Sequence, residues 1–366
     1  MTMLTSAPAP TASASSSALT SGRLANWAPW ALLAASLAIS FAVFGVAAIG
    51  GELADFNIAG ATIVGVLLYM VLITVLSSIA ESRRKAIDRL MTALVATAFT
   101  IALLPLLSLL WTVVANGVGR FDAEFFSYSM RNVVGEGGGI VHAIWGTVLV
   151  TLTATLIAVP VGLLTSIYLV EYGRGIVAKG ITFLVDVMTG IPSIVAGLFV
   201  YSVFALFVRP GISMGLMGAL ALAVLMVPVV VRGSEELLRI VPNELREASY
   251  ALGVPKWLTI LKVVLPTSIA GITTSVMLAI SRVIGETAPL LLTAGFTASL
   301  NTNLVNGQMM TLPVFVYNSY MNQGTAADAS VARAWAGALT LILIVMLLNL
   351  LARLIAKWFA PKTAGR

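Results

Sequence analysis

Arg282 and Glu286 stand four positions apart inside a long apolar stretch. An arginine facing lipid at a helix centre costs about 2.5–3.5 kcal/mol on the insertion scale, so both side chains must face protein or water. On a continuous helix they share one face and can pair. Two chemistries are compatible with that spacing. One is an internal salt bridge that braces two helices. The other is a conduit in which Arg282 offers planar N–H donors to an oxyanion while Glu286 keeps the empty site neutral. Arg232, which closes the preceding apolar stretch, reads by itself as an ordinary basic residue of a cytoplasmic mouth. Asp186 either pairs with one of these arginines or supplies headgroup-level polarity.

Other chemistries are excluded by what the chain lacks. It has no cysteine and a solitary His142, so thiol catalysis and a zinc cluster are ruled out. No nucleophile–base pair stands out, and there is no G-x-x-x-x-G-K-[ST] run to cradle a nucleotide. The chain therefore reads as a non-enzyme that binds no cofactor of its own. The net charge of +6 sits in short clusters between apolar stretches, the pattern of membrane topology and not of nucleic-acid binding.

The elements that must position these residues are membrane helices. The 366 residues are 59% hydrophobic and only 10% charged, with a mean hydropathy of +1.01. Eight apolar stretches suit a hydrocarbon core about 30 Å thick: roughly 26–50, 57–80, 92–117, 140–170, 181–208, 212–231, 267–294 and 334–358. Residues 1–24, rich in Ala, Ser, Thr and Pro, read as a disordered cytoplasmic tail. Residues 25–90 form an accessory two-helix hairpin, and 91–366 form the main domain.

With the N-terminus inside, sixteen basic residues fall on the cytoplasmic side. They are Arg23, Arg83, Arg84, Lys85, Arg89, Arg174, Lys179, Arg232, Arg239, Arg246, Lys256, Lys262, Arg353, Lys357, Lys362 and Arg366. Only Arg120, Arg131, Arg209 and Arg333 fall outside. That asymmetry places both termini in the cytoplasm.

Two connections are longer than turns. The cytoplasmic stretch 232–266 is charged and amphipathic and reads as two or three short surface helices. The outer stretch from about 295 to 332 reads as holding a re-entrant piece or facing an external partner. Pro192, inside the fifth stretch, frees a backbone carbonyl and marks a hinge, a lining of the pathway or a simple kink. His142, at the outer end of the fourth, reads as structural.

Within the cytoplasmic stretch lies Glu247-Ala248-Ser249-Tyr250-Ala251-Leu252-Gly253, followed by Val263-Val264-Leu265-Pro266. Small residues at Ala248, Ser249 and Ala251 let a partner's backbone come close, and Gly253 permits a sharp turn that Pro255 then restarts as helix. The run resembles the EAA loop of ABC importer permeases: E-A-A, three residues, Gly, nine residues, Ile, one residue, Leu-Pro. Ser249 replaces the second Ala and Val263 replaces the Ile.

Three further runs resemble the permeases of the phosphate ABC importer. They are Gly138 to Thr147 (GGIVHAIWGT), Gly190 to Val195 (GIPSIV) and Arg282 to Leu291 (RVIGETAPLL). The ending Glu-Thr-Ala-Pro-Leu-Leu is similar to the PstA-type permease more than to its sister PstC. The likeness covers roughly residues 91–360.

The resemblance implies an all-α polytopic fold of about eight transmembrane helices with a six-helix type I importer core, in the cell membrane of a prokaryote. It implies import of inorganic phosphate through a path shared with a second, PstC-type permease. Two copies of an ATP-binding subunit, which hold the ATP and Mg, would drive it, and an external phosphate-binding protein would feed it. Arg282, Glu286 and Arg232 would line the path. Glu247, Ala248, Ser249, Gly253, Leu265 and Pro266 would couple to the ATPase. Sulfate or molybdate as cargo, and a secondary transporter or channel as the machine, are the rival readings. The chain shows no internal repeat of the kind many secondary transporters carry.

Overall fold

The computed structural model describes residues 24–47 and 57–359. The expected disordered tail, apart from Leu24, lies outside the described residues, as do Arg23, Lys362 and Arg366 of the topology count. Every regular element among the described residues is helical, as the sequence leads one to expect. The chain divides between Leu109 and Leu110 into two compact units, each described by itself.

The first unit holds α1 (Ala28–Ala47), α2 (Ile58–Ala80) and the opening of α3 (Arg83–Gly117). Asn57 starts α2 by accepting the Gly60 N–H at 2.7 Å, an N-cap that satisfies one orphan donor of the first turn. The hairpin packs through small residues, since lipid supplies no hydrophobic drive between helices and close backbone approach must do so. A Cβ at Gly65 would lie 2.8 Å from Leu37. Beside it, Ser40 donates to the Ala61 carbonyl at 2.6 Å.

The second unit is organised around α5 (Val141–Ile167) and α8 (Gly215–Ile240). Ala143, Val150, Ala154 and Ala158 recur along α5 at intervals of seven, four and four residues and are buried against Ala219, Leu222, Ala223 and Met226 of α8. At Gly162 a Cβ would come within 2.7 Å of Val230. On other faces stand α11 (Leu265–Val283) and α14 (Ala327–Phe359), joined by Ser281 donating to Asn349 at 3.1 Å. Near the first turns of α5 and α8 lie α4 (Ala123–Ser127), α12 (Ala288–Thr293) and α13 (Leu312–Met321). His142 is buried in an edge-on contact with Phe315, its ring centroid 5.7 Å away.

Among the described residues seven helices are long and apolar enough to cross a membrane, or eight when α6 (Gly175–Thr189) and α7 (Ser193–Phe207) count as one span. Two of the expected straight spans need correction. The stretch 181–208 is a pair of helices bent by 109°. Pro192 has no N–H and disfavours helical backbone at Ile191, so the chain turns there. The stretch 267–294 is not continuous either, because α11 ends at Val283 and α12 begins at Ala288. Pro289 would thrust its ring against the carbonyl of Gly285, four residues earlier, and so breaks the helix.

The stretch 232–266, expected to be cytoplasmic, also differs from expectation. Its first residues, Arg232 to Ile240, simply continue α8. Only then come two short helices, α9 (Asn243–Ala251) and α10 (Lys256–Thr259), and a π-turn over Ile260–Val264 leads into α11.

Candidate functional site

Arg282 and Glu286 do not pair. Arg282 is on the last turn of α11, Glu286 is in the break beyond it, and the shared helical face is gone. Neither side chain has a hydrogen-bond or ion-pair partner among the described residues, and Arg282 is exposed. Gly285 between them has open space around it. The brace reading therefore loses its geometry.

Arg232 is the residue that is paired. Its guanidinium bridges Asp186 of α6 and Glu235, the latter at 2.9 Å. Glu235 is buried and also accepts from Arg239 at 2.7 Å. Two arginines and two carboxylates thus balance in charge at one end of α6 and α8. The Asp186 carboxylate is 59% exposed, so that contact can be exchanged with a solvent anion at little cost, whereas the Glu235 contact is shielded. Asp186, Glu235 and Arg239 line a cavity of about 380 Å³ together with Lys179, Thr182 and Phe183. Directly after Arg232, Gly233 lets α8 touch Ser275 of α11.

The loop around Glu247 is a helical hairpin with one face held and one face free. Ser249 is buried and shares a hydrogen bond of 2.8 Å with Thr259, tying α9 to α10. Gly253 makes the turn at φ 77°, a left-handed backbone that side chains resist, and nothing lies within 4 Å of where its Cβ would be. Glu247, Ala248, Tyr250 and Leu252 are exposed, Leu252 at 83%. Leu265 is half-buried, and Pro266 starts α11, where a missing N–H costs nothing.

What holds the hairpin was missed in the sequence. Glu171, in a π-turn over Tyr168–Tyr172 at the end of α5, accepts from Arg246 of α9 at 3.0 Å. Arg246 also donates to the carbonyls of Leu238 at 2.9 Å and Val241 at 2.5 Å, satisfying the free end of α8. Lys256 of α10 reaches the same glutamate's carboxylate at 3.9 Å and lies over the Tyr172 ring. The available signal was an acidic residue at the end of a span that the basic-residue count assigns to the cytoplasmic side, where basic residues otherwise predominate.

Comparisons with known proteins concern the chain's family and fold. Residues 158–365 match the family described as binding-protein-dependent transport system inner membrane component. The chain is 45% identical over 279 residues to phosphate transport system permease protein PstA 1 of Mycobacterium tuberculosis, covering 75% of this chain and 90% of that one. It is 38% identical over 293 residues to phosphate transport system permease protein PstA of Yersinia pestis, covering 78% and 96%. Among solved structures, a chain of a bacterial alginate ABC transporter superposes with a TM-score of 0.52 at 14% identity, covering 74% of this chain and 96% of that one. A chain of the MetNI methionine ABC transporter gives 0.50 at 20% identity, covering 61% and 96%. These last two likenesses concern the fold alone.

Proposed function

Because the chain belongs to the binding-protein-dependent transport system inner membrane components, and among them to the PstA-type phosphate permeases, we propose that it is the membrane subunit through which an ATP-driven importer passes inorganic phosphate. The observation that carries the pathway is the exposed, unpaired guanidinium of Arg282 at the break of a membrane helix. Facing lipid, such a charge is costly. Facing a second permease across a water-filled path, it offers planar donors to a tetrahedral anion. A PstC-type subunit supplies the other wall in this reading. Glu286 stands in the same break and balances the charge when no anion is present.

Arg232 serves as an inner station, where an arriving anion exchanges with Asp186 while Glu235 keeps the guanidinium in place. Two ATP-binding subunits holding ATP and Mg dock on the free face of α9, around Glu247, Ala248, Tyr250 and Leu252. The clasp of Arg246 and Lys256 on Glu171 makes α9, α10 and the end of α5 move together. Closure of the ATPases then tilts α8 and α11 and switches the side to which the path opens. An external phosphate-binding protein delivers the cargo, and both termini lie in the cytoplasm.

The test is phosphate uptake in cells that lack their own permease and carry this chain with its partners. Wild type is expected to restore uptake and Arg282→Gln to lose most of it at equal surface expression. Equal uptake by the two would overturn the pathway role.

A further inference from the structure

At the other end of the second unit a different arginine is buried with its charge unmatched. Arg333, in the second turn of α14, is 6% exposed. Its Nη1 donates to the carbonyls of Gly135 and Gly137 at 2.8 and 3.0 Å. Its Nε is buried and has no acceptor. Among the described residues no carboxylate pairs with it, whereas Arg120 nearby in the fold has both Asp122 and Glu124. A buried charge without a counter-ion is costly, because neutral carbonyls return only part of the hydration it has lost.

The arginine does not face a packed wall. It lines a cavity of about 300 Å³ together with Asn318, Asn322, Gln323 and Ser330, all of them neutral hydrogen-bonding side chains. Ser330 donates its hydroxyl proton to the Ser319 carbonyl, but positive charge, the Asn318 amide, the second amide protons of Asn322 and Gln323 and the absence of a carboxylate among the lining residues describe a site for a small anion. A tetrahedral oxyanion is far smaller than this space and can accept from several of those groups at once.

We propose that this cavity is an oxyanion-binding site separate from Arg282 and Arg232, on the face where the sequence count places the outside, and that it takes up the transported anion before it reaches the path. The identity of the anion rests on the phosphate reading above. The existence of the site does not.

The decisive variant is Asn318→Asp. Asn318 accepts from the Asn322 side chain at 2.8 Å, and aspartate keeps that acceptor and the side chain's shape while placing a carboxylate in the cavity. Equilibrium binding of radiolabelled inorganic phosphate, sulfate and molybdate is measured on the assembled permease complex in nanodiscs, without the external binding protein. Wild type is expected to bind phosphate, Asn318→Asp to weaken that binding at least tenfold, and Arg282→Gln to leave this site filled. Arg333→Met is expected to match Asn318→Asp where it assembles. Unchanged binding in Asn318→Asp, or no anion bound by wild type, would overturn the proposal and leave Arg333 a strap on the glycine loop. Binding of sulfate or molybdate but not phosphate, again lost in Asn318→Asp, would keep the site and refute the phosphate reading.

Discussion

Arg246 and Glu171, 75 residues apart in sequence, meet at 3.0 Å with side chains only 11% and 5% exposed. Removing one member of a buried pair leaves the other charge uncompensated, a loss of about 3–5 kcal/mol. Glu171→Gln is therefore expected to loosen the α9–α10 hairpin. Co-purification of the ATPase subunits should fall, and ATP hydrolysis should lose its dependence on substrate while the chain still inserts. A variant that retains substrate-stimulated hydrolysis would show that the clasp does not position the hairpin.

Gly253 offers a cleaner test of docking, because its surroundings are empty and its backbone is left-handed. A β-branched side chain there costs about 1–2 kcal/mol in backbone strain alone, while asparagine tolerates the conformation. Gly253→Val should uncouple hydrolysis from transport, and Gly253→Asn should be milder. Gly253→Asp, which touches nothing within the chain, should impair transport only by crowding the partner. Normal transport in all three would exclude this turn from the coupling contact.

Arg282→Gln removes a charge-assisted donor from the path, a change of about 1.5–3 kcal/mol, or roughly ten- to a hundredfold in uptake. Since Arg282 and Glu286 do not touch, exchanging them should not rescue the single variants. With no contact between them, the coupling energy from a double-mutant cycle on thermal stability should lie near zero. A swapped pair with wild-type uptake would restore the brace reading.

Glu81 carries a pH signature in the first unit. Burial alone would raise its pKa. Hydrogen bonds from Arg89, the Leu24 N–H and the Ser77 hydroxyl, with the charge of Arg89, outweigh burial and hold the carboxyl at about 2, against an ordinary 4.5. The unfolded chain then binds the extra proton, so the stabilisation is complete above pH 4.5 and is lost as pH falls towards 2. The difference in thermal stability between the full chain and Glu81→Gln, measured in detergent, should shrink over that window. A constant difference would mean that Glu81 keeps an ordinary pKa.

Topology is open to direct labelling, since the chain has no cysteine. Ile176 and Thr302 are both exposed. An impermeant thiol reagent added outside intact cells should modify Thr302→Cys and spare Ile176→Cys. The opposite pattern would invert the orientation.

Length and hydropathy by themselves located the membrane helices, because the cost of exposing peptide groups to lipid is read from each stretch alone. The Glu247-to-Pro266 spacing was legible for the same reason, being local and contiguous. The break after Val283 was legible too, in Gly285 and Pro289, had that local signal been weighed above the i, i+4 spacing of Arg282 and Glu286. Partner choice was legible only in part: Asp186 suits pairing with one of the arginines or plain headgroup-level polarity, and which arginine it meets is not in the sequence. Any of several carboxylates suited Arg232, and only the packing of α6 against α8 brought Asp186 to it from 46 positions away. Arg333 meets the carbonyls of Gly135 and Gly137 from 198 and 196 positions away, although nothing in its neighbours along the chain calls for them. Pro192 allowed a bend, but neither its 109° nor the close approach of α7 to Pro289 at Gly197 could be read from the local sequence. Charges attract without regard to sequence separation, so which of them meet is decided by the packing of apolar helices that carry no charge.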